Sequence, residues 1–277
     1  MNDDALLSAP RRNVLTGIGA AALGGVVAGV VGRAASVQAQ ESKRGAVVPS
    51  ILAFDVNESM LDIHHLDPLF QRLFGDKKFV NEWYAQLVLY SEAVTLAGGP
   101  YTPFFNLSRA VLKLMGSVHS VSIRQADIDE LGMLSATMPA HADVPAGLKQ
   151  LKDAGFQLVT LTNSPSDAQV KQLKSAGIDG WFDKLLSVDR VRRYKPAPQV
   201  YHMAAEELNV PTAAICLVSV HVWDGLGAQN AGCQSALVAR PGNAPPPTLD
   251  VPGWPAPAAV GPDLPSVATQ LIKLWRS

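Results

Sequence analysis

Cysteine is nearly absent: Cys216 and Cys233 are the only two in 277 residues. Neither has the spacing of a metal site, so cysteine-built metal chemistry is excluded. Both thiols lie in apolar, strand-like runs. An oxidising compartment would permit a bridge between them, but two buried thiols packing as small hydrophobes is the simpler reading. Charge of either sign is also scarce, at 17% of residues with a formal net charge of −1. No basic block follows the N-terminus, which excludes the electrostatic footprint of a nucleic-acid binder. Hydrophobic residues make up 48%, too many for a disordered chain and enough to bury a sizeable core. No internal repeat and no coiled-coil heptad run is present.

What is there begins with a targeting pattern. Arg11-Arg12-Asn13-Val14-Leu15 precedes an uncharged stretch, residues 14–32, rich in Gly and Ala. Val37-Gln38-Ala39 then offers the small residues that suit signal-peptidase cleavage. Paired arginines before a weakly hydrophobic region read as a twin-arginine export signal over residues 1–39. The same stretch is long enough to reach across a bilayer as an anchor. Its glycines, alanines and small-residue site favour removal. A periplasmic or secreted protein without stable membrane association is the expectation.

Periodicity organises the remainder. A short apolar run, residues 47–54, reads as the first strand. Residues 63–140 carry only helical spacing: Leu66, Leu69, Phe70 and Leu73 share one face, as do Val80, Trp83, Tyr84, Leu87 and Val88. Further helices are expected over 104–115 and 125–137. Helix and strand then alternate. Helices are expected at 144–154, 167–176, 199–208 and 223–231, with strands at 156–161, 185–188, 213–218 and 234–239. Residues 241–262, crowded with Pro and Gly, read as a surface loop, and 264–275 as a closing helix. This predicts an α/β fold with a parallel-sheet, Rossmann-like core, helices on both faces, and an inserted all-helical cap. The core would comprise residues 46–62 plus 141–277, and the cap 63–140.

Four strand ends carry the chemistry. Asp55 ends the first strand, Thr162-Asn163 ends the second, and Tyr194-Lys195-Pro196 follows the third. Ser219-Val220-His221-Val222-Trp223-Asp224 follows the fourth. A parallel sheet gathers such residues at one edge, where a carboxylate can serve as a nucleophile. His64, His65, His119, His141 and His202 lack metal-ligand spacing and read as surface or packing residues.

In this order and spacing the motifs resemble those of the haloacid dehalogenase superfamily, specifically its type II 2-haloacid dehalogenase branch. The likeness runs from about Val47 to the C-terminus. It carries over the segment from Phe54-Asp55-Val56-Asn57-Glu58-Ser59 to Asp62, then Leu161-Thr162-Asn163, Tyr194-Lys195-Pro196 with Tyr201, and the stretch from Val218 to Asp224.

The resemblance implies that Asp55 attacks C2 of a short 2-haloalkanoic acid and forms an aspartyl ester that water then hydrolyses. Lys195 would hold Asp55 ionised, and Ser219, His221 and Asp224 would orient the water. Ser59, Tyr84, Thr162, Asn163, Tyr201 and Trp223 would contact the substrate. No metal and no cofactor is implied, and the partner is a small halogenated acid. Family members are often homodimers.

Three positions depart from the pattern. Ser59 stands where the family usually has threonine. Tyr84, in Glu82-Trp83-Tyr84-Ala85-Gln86, aligns with the cap arginine that receives halide, and Arg109, further along the cap, is a candidate substitute. His221 replaces a common asparagine, and an ordinary imidazole pKa near 6.5 would suit a general base. Two other functions compete. A phosphatase of the superfamily would carry an acid where this chain has Asn57, and more than one carboxylate in the fourth motif to hold magnesium. An exported binding protein with faded catalysis would not need Asp55, Lys195 and Asp224 together.

Overall fold

A computed structural model of the protein describes residues 47–240 and 255–277. The expected export signal and residues 241–254 of the expected loop lie outside the described residues. Four apolar residues form β1 (Ile51–Phe54), and all four are buried. A strand with no exposed face belongs inside a parallel sheet covered on both sides. β1 pairs in parallel with β2 (Gln157–Thr162) on one side and β4 (Ile215–Ser219) on the other. β3 (Lys184–Ser187) adds beyond β2, and β5 (Gln234–Val238) beyond β4. The sheet order is β3-β2-β1-β4-β5-β6.

The expectation of loop throughout 241–262 fails at β6 (Ala259–Gly261), which pairs in parallel with β5. An open β5 edge recruits it: Ala236, Leu237 and Val238 face Ala259, Val260 and Gly261. A three-residue strand with one glycine has no periodic signal of its own.

Between β1 and β2 the chain forms a helical layer. A 3₁₀ turn (Ile63–Leu66) leads into α1 (Asp67–Phe74), followed by α2 (Phe79–Ala97), α3 (Phe104–Val118) and α4 (Gln125–Ala136). α1 and α2 both stop on glycines, Gly75 and Gly98, at φ of 82° and 69°. A left-handed C-cap is open to glycine without a Cβ clash. Buried Asp127 fixes α4 against α1 by accepting from Arg72 Nη1 at 2.8 Å. α5 (Val144–Asp153), α6 (Ser166–Ser175), α7 (Pro198–Leu208), α8 (Val222–Asn230) and α9 (Leu264–Trp275) cover the sheet.

Several bonds tie the helical layer to the core beneath it. Tyr194 N donates to Thr95 Oγ1 at 3.0 Å, and Gln172 Nε2 donates to Ser135 O at 3.0 Å. Cys216 and Cys233 are free and buried, and burial pushes both thiols up, Cys233 to about 12. Neither presents a thiolate at neutral pH.

The sheet order reverses between β1 and β4, where parallel sheets open a crevice beyond their C-terminal ends. Phe54 lies opposite Thr160 on β2 and Val218 on β4. The residues that follow these three strands therefore emerge at one level.

Candidate active site

Asp55 continues β1 by one residue, its N–H donating to Val218 O at 3.0 Å. Asp55 is 5% exposed, and its carboxyl has cations on both sides. Oδ1 accepts from Lys195 Nζ at 3.1 Å. Oδ2 accepts from Ser59 Oγ at 2.6 Å and lies 3.2 Å from His221 Nδ1. Burial alone would raise this carboxyl, but the Lys195 ammonium and then His221 and Ser59 outweigh it. Asp55 stays ionised, well below the usual carboxylate range.

Lys195 is fully buried, and Asn163 Oδ1 fixes it from behind by accepting from its backbone N–H at 3.1 Å. Its ammonium donates to Asp224 Oδ2 at 2.8 Å as well as to Asp55. Burial lowers an ammonium's pKa, yet Asp224 and Asp55 together raise this one. Asp224 is fully buried too; desolvation, and then the nearby Asp55, push its pKa up against the pull of Lys195. Its other oxygen, Oδ1, accepts from Tyr201 Oη at 2.6 Å.

The closeness of α8 to this segment depends on Gly227. A Cβ there would meet Pro196 Cβ, Pro196 O and Tyr201 Oη, each at 2.6 Å. A backbone oxygen cannot yield without moving Lys195. Gly227→Ala is expected to cost about 1–3 kcal/mol by overpacking, seen as a lower urea midpoint at unchanged m.

His221 sits at the N-cap of α8, on the turn after β4. The expected neutral imidazole with an ordinary pKa is not what forms. Nε2 lies 2.7 Å from Glu58 Oε2 while Nδ1 faces Asp55. Carboxylates only accept, so both ring nitrogens must carry protons and the ring is an imidazolium. Burial opposes the charge, but the bonds to Asp55 and Glu58 prevail and push His221 up to about 10. The ring stacks on Tyr84 and Trp223, with centroids 5.8 and 4.9 Å away.

Glu58 is the residue that sequence reasoning missed. It is 7% exposed and adopts φ 61°, a left-handed conformation that a non-glycine residue holds at a cost of about 1–3 kcal/mol. Its carbonyl accepts from His141 Nε2 at 3.0 Å, so His141 braces this turn. The signal available was a pair of ionisable residues, Glu58 and His221, both in motif segments.

Several expected substrate contacts fall elsewhere. Thr162 Oγ1 accepts from Ser164 N at 3.1 Å and closes the turn after β2. Tyr201 stands behind Asp224, not beside the nucleophile, because its hydroxyl is spent on that carboxylate. Trp223 meets His221 face to face, and Ser219 Oγ accepts from His221 N at 3.0 Å. Arg109 stays at the surface, donating to Asn106 and lying over Phe105. It therefore does not replace the cap arginine.

A cavity of about 610 Å3 opens under the helical layer. Its walls are mostly apolar, with Trp83, Leu87, Phe104 and Met138, and hold no arginine. Asp55 is not in its wall, but Asn57, Tyr84 and Ser164 are. The cavity therefore ends beside the nucleophile's own loop. Asn57 Nδ2 donates to Ser164 Oγ at 3.2 Å, and an amide cannot protonate a leaving group. Tyr84 is kept neutral by burial and by the nearby carboxylates, Glu58 first, so it offers an O–H donor and no charge.

Comparison with known proteins agrees with this geometry. Residues 50–232 match the family model described as haloacid dehalogenase-like hydrolase. An (S)-2-haloacid dehalogenase of Burkholderia cepacia is 29% identical over 163 residues, 59% of this chain and 70% of that protein. An (S)-2-haloacid dehalogenase of Pseudomonas putida is 25% identical over 193 residues, 69% of this chain and 86% of that protein. The crystal structure of the L-2-haloacid dehalogenase RSc1362 superposes with a TM-score of 0.74 at 30% identity, covering 81% of this chain and 99% of that one. The chain belongs to the haloacid dehalogenase-like hydrolases, in their 2-haloacid dehalogenase branch.

Proposed function

We propose that this protein hydrolyses the carbon–halogen bond of short 2-haloalkanoic acids through an ester on Asp55. The observation that carries this is an ionised, buried Asp55 with a cation at each oxygen and an amide, Asn57, in place of an acid. A halide leaves with its bonding pair and needs no proton, so the missing acid is no loss. A phosphate ester's alkoxide would need one. The second carboxylate, Asp224, is already neutralised by Lys195 and bonded by Tyr201.

Asp55 attacks C2, the C–O bond forms, and halide departs. Water then adds to Cγ of the ester, and collapse frees the 2-hydroxy acid and restores the carboxylate. Lys195, against Oδ1, supports the negative charge that develops on that oxygen during hydrolysis. Tyr84 and the Asn163 amide are the polar donors we assign to halide and substrate carboxylate. The relatives' names specify (S)- or L-acids, and we carry that preference to this chain.

Purified protein should release halide from L-2-chloropropionate in the presence of EDTA, and far more slowly from the D-isomer. Magnesium-dependent phosphate release without halide release would favour a phosphatase instead.

We also propose export. Arg11-Arg12, the apolar 14–32 and Val37-Gln38-Ala39 support a twin-arginine signal over residues 1–39, giving a periplasmic or secreted enzyme. Changing both arginines to lysine should leave a C-terminal reporter in the cytoplasm, as cell fractionation would measure. Unchanged export would remove this reading.

A further inference from the structure

We infer that the substrates of this site extend to 2-haloacids with a long apolar substituent on C2, alkyl or aryl, received by the cavity under the helical layer. This rests on the aspartyl-ester reading and names the class of acid for which the site is shaped. The cavity measures about 610 Å3, within the range of about 300–1,000 Å3 that encloses drug-sized ligands. A three-carbon acid on Asp55 would leave most of that space unfilled.

Two links join the cavity to the nucleophile. Asn57, in its wall, follows Asp55 by two residues on the same turn. Tyr84, also in its wall, stacks on His221 at 5.8 Å, and His221 Nδ1 lies 3.2 Å from Asp55 Oδ2. With C2 at Asp55, a substituent that runs past Asn57 and Tyr84 enters the cavity.

Beyond those two residues the walls are built for carbon. Leu66, Leu87, Phe104 and Met138 line the cavity, and none is more than 6% exposed. Trp83 adds only its ring, because its Nε1–H is spent on Ser108 O at 3.1 Å. The charged residues of the lining lie toward solvent or are already bonded. Asp167 and Lys171 have side chains 79% and 70% exposed, and Asp189 accepts from Tyr101 Oη and Ser166 N. An apolar chain gains by leaving water for such walls. A second carboxylate would lose its hydration there, with Lys171 at the rim as the one cation of the described lining.

Small side chains keep the space open. α4 turns Gly132, Ser135 and Ala136 to the cavity, at spacings of three and four that share one helix face. Ala168 on α6 lines it as well. At Gly132 a Cβ would meet Phe105 Cζ at 2.9 Å, so a side chain there would displace that aromatic wall.

The test is a chain-length series. Purified protein is given L-2-chloropropionate, L-2-chlorohexanoate, L-2-chloro-3-phenylpropionate and, as a charged control, L-2-chloroadipate, and halide release yields kcat and KM for each. From propionate to hexanoate kcat/KM should rise about 30-fold, roughly threefold for each added methylene that is buried. The gain should lie in KM with kcat little changed, because the chain binds alike in ground and transition states. The phenyl acid should gain at least about tenfold, and the adipate should gain nothing. Ala136→Leu and Ala168→Leu fill the cavity from different helices. Each should cut the hexanoate-to-propionate ratio of kcat/KM at least about tenfold, a readout that general loss of activity does not move. The wild-type series and the second variant keep the test decisive if one variant folds poorly. A kcat/KM that stays level or falls with chain length, a gain shared by the adipate, or a ratio unmoved in both variants would overturn the proposal. No halide from any of the acids would instead refute the ester reading beneath it.

Discussion

Asp55→Asn releases no halide above background, a loss of at least about 10⁴-fold in kcat/KM, as expected when a covalent nucleophile is removed. The substitution is close to isosteric and leaves the strand bond from Asp55 N to Val218 O in place. It takes one negative charge from a buried cluster of three carboxylates, Asp55, Glu58 and Asp224, and two cations, Lys195 and His221. The variant should fold, but with a lower thermal midpoint than the wild type, because Lys195 and His221 lose an anion that they hold ionised. Halide assays and a thermal scan on one preparation check both statements. Measurable turnover in a preparation free of wild-type protein would show that another residue attacks C2.

Lys195→Met has the second-largest effect and acts on stability and activity together. Methionine fills similar space but leaves Asp55 and Asp224 facing each other without the ammonium that now lies 3.1 and 2.8 Å from them. Removing one partner from a buried charge cluster costs about 3–5 kcal/mol. At neutral pH the pair would relieve this by taking up a proton, and a protonated Asp55 is no nucleophile. The sign follows. Asp55 is depressed in the wild type, so its ionised form is present throughout the neutral range and is lost only in strong acid. Without Lys195 its pKa rises, and the acid limb of kcat/KM moves to higher pH. Urea unfolding and a pH–rate profile read the two effects separately. A variant with wild-type stability and an unmoved acid limb would refute the role given to Lys195.

Much of the site was legible because parallel strands end where burial ends. Asp55, Thr162-Asn163 and Ser219 each follow or close a run of buried apolar residues, and the sheet register brings those ends level. Lys195 was legible from its neighbours, Tyr194 and Pro196, and the structure buries it fully. What escaped depends on contacts between distant segments. Glu58 lies between Asn57 and Ser59 in what reads as a polar turn, and its burial is set by His221, 163 positions away. The charge of His221 follows from that same contact, so an isolated imidazole pKa misjudged it. Tyr201 and Trp223 were assigned to the substrate by the family resemblance alone. Only the packing reveals that one supports Asp224 and the other stacks on His221. β6 was hidden because its pairing comes from the exposed edge of β5 and not from its own three residues.

The central claim is that substrate carbon becomes bonded to Asp55 before water enters. A single turnover in heavy-oxygen water, with enzyme in excess over L-2-chloropropionate, tests it most directly. Water that attacks Cγ must leave its oxygen in the carboxylate. The account predicts label in the peptide containing Asp55 and unlabelled lactate. Labelled lactate with an unlabelled Asp55 peptide would mean that water attacked C2 itself, and the ester account would be wrong.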